Sequence, residues 1–211
     1  MASDPDIFPP RLYLVTPKLS AASPFDKALA AAIDAGDVAC LLIRFATDDP
    51  AARKQIVRDL APLAQKVDAA VLLEGDAQLA ARAGADGVHI NGNGEAFERA
   101  LDSLKPERIV GVGGLATRDE CMSVGERDVD YLMFGWPDFD VSPQDVREQA
   151  QWWAEIFNVP CVAFARTLGE VEALAEARVE FVALENAVWE DPRGPAVAVA
   201  DAQKRCVGAL A

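Results

Sequence analysis

The one histidine of this 211-residue chain, His89, stands in the apolar run GVHIN, which passes directly into Asn91, Gly92, Asn93 and Gly94. A histidine near the end of a buried strand, facing a turn, has the placement of a general base, because imidazole exchanges its proton near neutral pH. It is equally the placement of a packed, hydrogen-bonded wall residue. Glu74 and Asp76 follow another apolar run, AAVLL. Paired carboxylates suit acid–base work or a divalent cation, and they also suit a helix cap beside a solvated charge. Arg44 interrupts a third run, VACLLIRF. A charge there is desolvated and must be partnered. Its planar fork reads as an anion clamp for phosphate or carboxylate; the alternative is an internal ion pair with Glu74.

Glu74 and His89 are therefore the candidates for catalysis, and Arg44, Asn91, Trp136, Arg166, Thr167 and Asn186 for ligand binding. Arg166 and Thr167 head a helical stretch whose backbone N–H groups can hold phosphate, with Thr167 as a plain N-cap the competing account. Trp136 and Trp189 either cover a pocket or plug a core. Asp48 and Asp49 are read as partners of a helix dipole. No residues are assigned to a metal.

Eight elements must position these groups. Apolar runs recur at residues 11–17, 38–45, 69–75, 87–91, 108–114, 131–135, 160–165 and 181–186. Their near-continuous hydrophobicity predicts parallel strands covered on both faces. Helical stretches lie between them. Ser23-Pro24, Asp49-Pro50 and Asp191-Pro192 read as N-caps with proline at the first helical position, and Thr167 with Glu170 as a capping box. Pro62 is expected to kink or divide the second helix. Eight strand–helix units with short loops predict an α/β fold, a closed (β/α)8 TIM barrel, as one domain over residues 1–211. The first ten residues, MASDPDIFPP, are expected to be a flexible segment ahead of it. In such a barrel the chemistry sits at the C-terminal strand ends, where all the candidates fall. Lys18, Asp138, Asp140 and Glu185 fall there too.

A formal net charge of −14 sets the chain against nucleic acid and anionic membrane as partners, since both repel it. A small-molecule ligand is the expected partner, and a homo-oligomer stays open. The four cysteines form no Cys-x-x-Cys pair, so buried free thiols are expected. The N-terminus lacks a signal-peptide pattern, which makes the cytoplasm the default.

The segments RLYLVTP, GADGVHI, IVGVGG and DYLMFG, in this order and spacing, resemble the thiamine-phosphate synthase and thiazole tautomerase family. The resemblance covers the first six strands well and the last quarter poorly. It implies a (β/α)8 barrel and a transferase of thiamine biosynthesis. Such an enzyme joins a hydroxymethylpyrimidine diphosphate to a thiazole phosphate and releases diphosphate with Mg2+.

The family's site residues carry over only in part. Its Gln-x-Arg-x-Lys after the second strand keeps Arg44, while Leu42 and Ala46 replace the glutamine and lysine. Its metal-binding Asn-Asp is Glu74-Gly75, and a second metal-binding aspartate falls on Gly94. The synthase serine falls on Gly113 and the tautomerase histidine on Leu115. The lysine clamp after the sixth strand is WPDFDVSPQD, and the phosphate cradle after the seventh is FART. The expectation is a divergent family member without standard synthase activity, for which Mg2+ matters only if that activity is kept. An active synthase with a rearranged site, or an unrelated lyase or isomerase using Glu74 and His89, are the alternatives.

Overall fold

A computed structural model describes residues 8–209; most of the N-terminal segment expected to be flexible, residues 1–7, lies outside them. Eight strands close into one parallel barrel in chain order: β1 (Arg11–Leu19), β2 (Val38–Phe45), β3 (Ala70–Glu74), β4 (Gly87–Asn91), β5 (Ile109–Gly113), β6 (Tyr131–Phe134), β7 (Cys161–Ala165) and β8 (Phe181–Leu184). Closure is made by β8 on β1, with Arg11 opposite Phe181 and Leu14 opposite Leu184. The expected (β/α)8 architecture is present, and the strand ends match the apolar runs to within two residues at every boundary.

The unbroken hydrophobicity of the strands follows from their two buried faces. One face packs outward under the helices: Leu12, Leu14, Leu41, Ile43, Val71 and Leu73 belong to this layer. The other fills the barrel with Tyr13, Val15, Leu42, Leu72, Tyr131 and Met133. Each such side chain contributes about 1.5–3 kcal/mol on burial.

Around the barrel run α1 (Phe25–Ile33), α2 (Pro50–Gln65), α3 (Ala77–Ala83), α4 (Glu95–Leu104), α5 (Arg118–Gly125), α6 (Pro143–Ile156), α7 (Val171–Glu176), α8 (Asn186–Trp189) and α9 (Pro195–Gly208). Asp49 caps α2 as its sequence predicts, accepting from the N–H groups of Ala51 and Ala52. Four expectations need correction. Ser23 does not cap α1; Pro24 holds that position and no side chain caps the helix. Pro62 does not divide α2, because it falls in the last turn of a helix whose Ile56, Val57, Leu60 and Ala64 are buried against the barrel. Asp191 does not open the last helix. It accepts from the Arg193 N–H at 2.8 Å and binds the Arg193 guanidinium, forming a turn, and α9 begins after Gly194. Thr167 completes no capping box: Glu170 reaches back to the Arg166 N–H at 2.8 Å, but the Thr167 hydroxyl goes to the Glu170 carboxylate. A full capping box joins Thr117 and Glu120 at the head of α5 instead.

Gly111 allows the barrel interior to be packed. A Cβ built there would lie 1.9 Å from Cζ of Tyr131, so the tyrosine ring lies across the bare backbone. Gly135, at φ 77°, turns the chain sharply after β6 into the loop that reaches over the C-terminal end. Gly111→Ala is expected to displace Tyr131 and to destabilise the fold by about 1–3 kcal/mol, measured as a lower denaturation midpoint at an unchanged slope.

Candidate functional site

Arg44 is the centre of the C-terminal mouth. Its backbone belongs to β2, where the N–H donates to the Thr16 hydroxyl of β1 at 2.9 Å. Its side chain is 2% exposed. The guanidinium donates to three carboxylates: Glu74 at 3.3 Å, Asp138 at 2.5 Å and Glu185 at 2.6 Å. They come from β3, from the loop after β6 and from the end of β8, on different sides of the barrel. Lys18 meets the same Asp138 oxygen at 2.9 Å. The ion pair expected between Arg44 and Glu74 is therefore one arm of a larger cluster. With Asp138 and Glu185 charged, Arg44 and Lys18 supply two positive charges against three negative ones.

Burial pushes the Glu185 carboxyl above its ordinary range, against the pull of Arg44. Partial burial pushes Asp138 up as well, but Lys18 and Arg44 together outweigh it and hold that carboxyl below the usual value.

Beneath the cluster runs an aromatic column. The Arg44 guanidinium lies 5.2 Å from the centroid of Trp136, within cation–π range. Trp136 is 2% exposed and stacks on His89 at 4.9 Å with 9° between the rings. His89 Nδ1 lies 2.9 Å from the Tyr131 hydroxyl, which is hydrogen-bonded to the Tyr13 hydroxyl at 2.8 Å. His89 Nε2 is buried without a hydrogen-bond partner. Burial pushes the imidazole down to about 3, with a small opposing contribution from Asn91. A group that stays neutral at physiological pH and loses its basicity to burial is a weak general base.

Glu74 and His89 face each other in the β3–β4 register, yet their side chains part: the carboxylate goes to Arg44 and the imidazole to Tyr131. Asp76 caps α3 through the Leu79 N–H and also binds Arg53. Asn91 is exposed at the end of β4 beside Gly113 and Gly114. Arg166 points to the Phe139 carbonyl and so ties down the loop after β6, while its own backbone N–H is taken by Glu170. Thr167 is exposed and occupied by Glu170. Asn186 is exposed as the first residue of α8. Trp189 donates to the Val15 carbonyl at 2.6 Å, bracing β1 from the side. Arg44, Glu74, His89 and Trp136 thus share one connected core, which the other four candidates ring from the rim.

Asp138, Glu185, Lys18 and the two tyrosines complete that core. The first three were legible as strand-end residues but carried no mark of a shared partner. Tyr13 and Tyr131 sit inside apolar runs, where only the depth of the barrel shows what their hydroxyls meet.

The Mg2+ that the resemblance implies finds no matching donor set. Among the described residues no group of three or more histidine, cysteine or carboxylate side chains is placed to hold a metal ion. Glu74 is engaged with Arg44 and Asp76 with the head of α3, and Gly75 and Gly94 offer no side chain. An open volume of about 460 Å3 lies off the axis, lined by Gly114, Leu115, Met133, Asp138, Phe139 and Asp140 among others, with no lysine or arginine in its wall.

Two outcomes are expected. Arg44→Met leaves three carboxylates facing one another and should destabilise the fold by about 3–5 kcal/mol at pH 7, with a smaller loss at acid pH, where Glu185, whose carboxyl burial already pushes up, takes a proton; matched urea titrations at neutral and acid pH check this. In solution the single imidazole should stay neutral in 15N spectra from pH 8 down to pH 5. An unfolded histidine takes its proton at about 6.5, whereas folded His89 does so at about 3. Between those values the unfolded chain binds more protons, so stability should fall as the pH falls. Titration of His89 near 6.5 in the folded protein would contradict the buried geometry.

The family model described as thiamine monophosphate synthase matches residues 12–188. The thiamine-phosphate synthase of Rhodospirillum centenum is 39% identical over 196 residues, covering 90% of this chain and 95% of that protein. The thiamine-phosphate synthase of Hyphomonas neptunium is 32% identical over 200 residues, covering 90% of each. Among solved structures, a thiamine phosphate pyrophosphorylase from Pyrococcus furiosus superposes with a TM-score of 0.80 over 95% of this chain and 97% of that one; at 20% identity this likeness speaks for the fold alone. With its barrel, its motif spacing and nearly full-length relatives in agreement, the chain belongs to the thiamine monophosphate synthase family.

Proposed function

We propose that this protein is a thiamine-phosphate synthase homologue that does not carry out the standard coupling of a pyrimidine diphosphate to a thiazole phosphate, and that its mouth takes a small ligand of lower negative charge. The observation that carries this reading is the saturation of Arg44 by Glu74, Asp138 and Glu185. The synthase reaction needs positive potential where diphosphate departs. Here the one arginine kept from the family's grip is neutralised from within. A diphosphate entering the mouth would bring roughly three negative charges beside carboxylates, and each close pair at about 4 Å costs about 4 kcal/mol at an effective dielectric near 20.

The rim supports the same reading. The amide of Arg166 is occupied by Glu170, and the off-axis volume has no cation in its wall. No helix among the described residues is long and apolar enough to cross a membrane, and a cytoplasmic protein acting on a small molecule is part of the proposal.

A second reading, an active synthase with a rearranged site, is favoured by the names of the relatives that match nearly the whole chain. It requires Asp138 and Glu185 to swing off Arg44 when diphosphate and Mg2+ arrive. A lyase or isomerase built on Glu74 and His89 has weaker support, because both groups are turned to other partners.

The deciding experiment is a coupled assay for thiamine phosphate from the two precursors with Mg2+, run beside a melting experiment with Mg2+ and inorganic diphosphate. No turnover and no rise in melting temperature are expected. A ligand at one hundred times its Kd would add about 2.7 kcal/mol, which melting detects easily. Turnover that Arg44→Ala abolishes overturns the proposal in favour of the second reading.

A further inference from the structure

The N-terminal end of the barrel, opposite the mouth, holds an apolar cavity of about 290 Å3. Its wall is built from the first residues of the strands and includes Tyr13, Cys40, Ala70, Ile109, Tyr131 and Phe181. Barrel interiors are ordinarily filled by bulky branched side chains; Cys40 and Ala70 are too small to do so here. The charges at the rim are matched already. Arg11 grips Asp37 through two hydrogen bonds of 2.8 and 2.9 Å, and Asp130 is held by Lys105 at 2.9 Å and by the Val110 N–H at 2.7 Å. Nothing in this cavity is left to hold an ion.

We propose that this cavity is a binding site for a small neutral aromatic molecule, of about the size of indole. An enclosed apolar hole of about 150 Å3 takes up benzene; this pocket is larger and open on one side, and it admits a fused bicycle. Tyr13, Tyr131 and Phe181 in its lining are rings of the kind aromatic ligands prefer as partners. The proposal is independent of whether the mouth turns over a substrate. The two ends are nevertheless joined. The Tyr13 and Tyr131 rings that wall the cavity are hydrogen-bonded to each other, Tyr131 is bonded to His89, and His89 stacks on Trp136 beside Arg44. An occupant pressing on Tyr131 alters the surroundings of His89, and the chain has no second histidine to confuse the signal.

The test is a titration of the full-length protein with indole, followed by the 15N and 1H resonances of the imidazole and by the melting temperature. A saturable shift of the His89 signals and a rise in melting temperature are expected, and both should vanish in Ala70→Phe, which fills the cavity. Should that variant not fold, intermolecular contacts from indole protons to the rings of Tyr131 and Phe181 in the wild-type protein support the site equally. Unchanged resonances and melting temperature, indole contacts confined elsewhere, or binding unaltered in a folded Ala70→Phe overturn it. So does binding that appears only on dilution, with a fall in mass by sedimentation, because a second copy would then be the occupant.

Discussion

A guanidinium with almost no contact with water has to be neutralised where it stands, and most features of the C-terminal end of this barrel follow from that requirement. Desolvating such a charge costs several kcal/mol unless it is paired and fully hydrogen-bonded. Arg44 meets the condition with carboxylates from three separate elements. The loop after β6 is brought over the mouth by Asp138, which also satisfies Lys18 of β1, and it is held further along by Arg166 at the Phe139 carbonyl. One buried cation thus organises the ends of β1, β2, β3 and β8 and the loop after β6.

Below that cluster, the barrel interior departs from a simple aliphatic filling. Arg44, Trp136, His89, Tyr131 and Tyr13 follow one another along the interior, each in contact with the next. Low dielectric strengthens such polar contacts and penalises any member left without a partner. His89 Nε2 is the one such atom in the column, and the depressed basicity of the ring follows from its burial. Gly111 makes the column possible, since any side chain there would occupy the plane of the Tyr131 ring. Two ends of the barrel with different chemistry, one acidic and one apolar, are consequently connected through a single file of side chains.

Membership of the family and departure from its usual charge pattern are compatible for a physical reason. The fold is maintained by the two apolar layers on either side of the strands, which tolerate wide variation at the loops. Function depends on a handful of strand-end residues. In this chain Leu42, Ala46, Gly75 and Gly94 stand where the resemblance expects glutamine, lysine and metal-binding aspartates, and aspartates stand where it expects a lysine clamp after the sixth strand. The core keeps the barrel while the strand-end residues vary.

The order of elements was almost entirely legible in the residues. Runs such as VACLLIRF and RIVGVGG are too apolar to be half-exposed and too short to be buried helices, and their spacing leaves room for one helix each. Asp49 before Pro50 announced a helix start because cap and proline chemistry are local. Local signals also misled, at Ser23, Thr167 and Asp191, where a side chain had a nearer partner or the chain turned first; the sequence Thr117-Arg118-Asp119-Glu120 held the pattern that did form a box. Arg44 stood out as a charge in a strand, and Glu74 as its nearest opposite charge, because adjacent strands are adjacent in a barrel. Asp138 and Glu185 lie 94 and 141 residues from Arg44, and no short-range rule joins them to it. Composition, periodicity and cap chemistry, which act over a few residues, determined the barrel and the level at which its polar groups emerge. Which of those groups meet was decided by closure of the ring, since only the pairing of β8 with β1 brings the ends of distant strands around one axis.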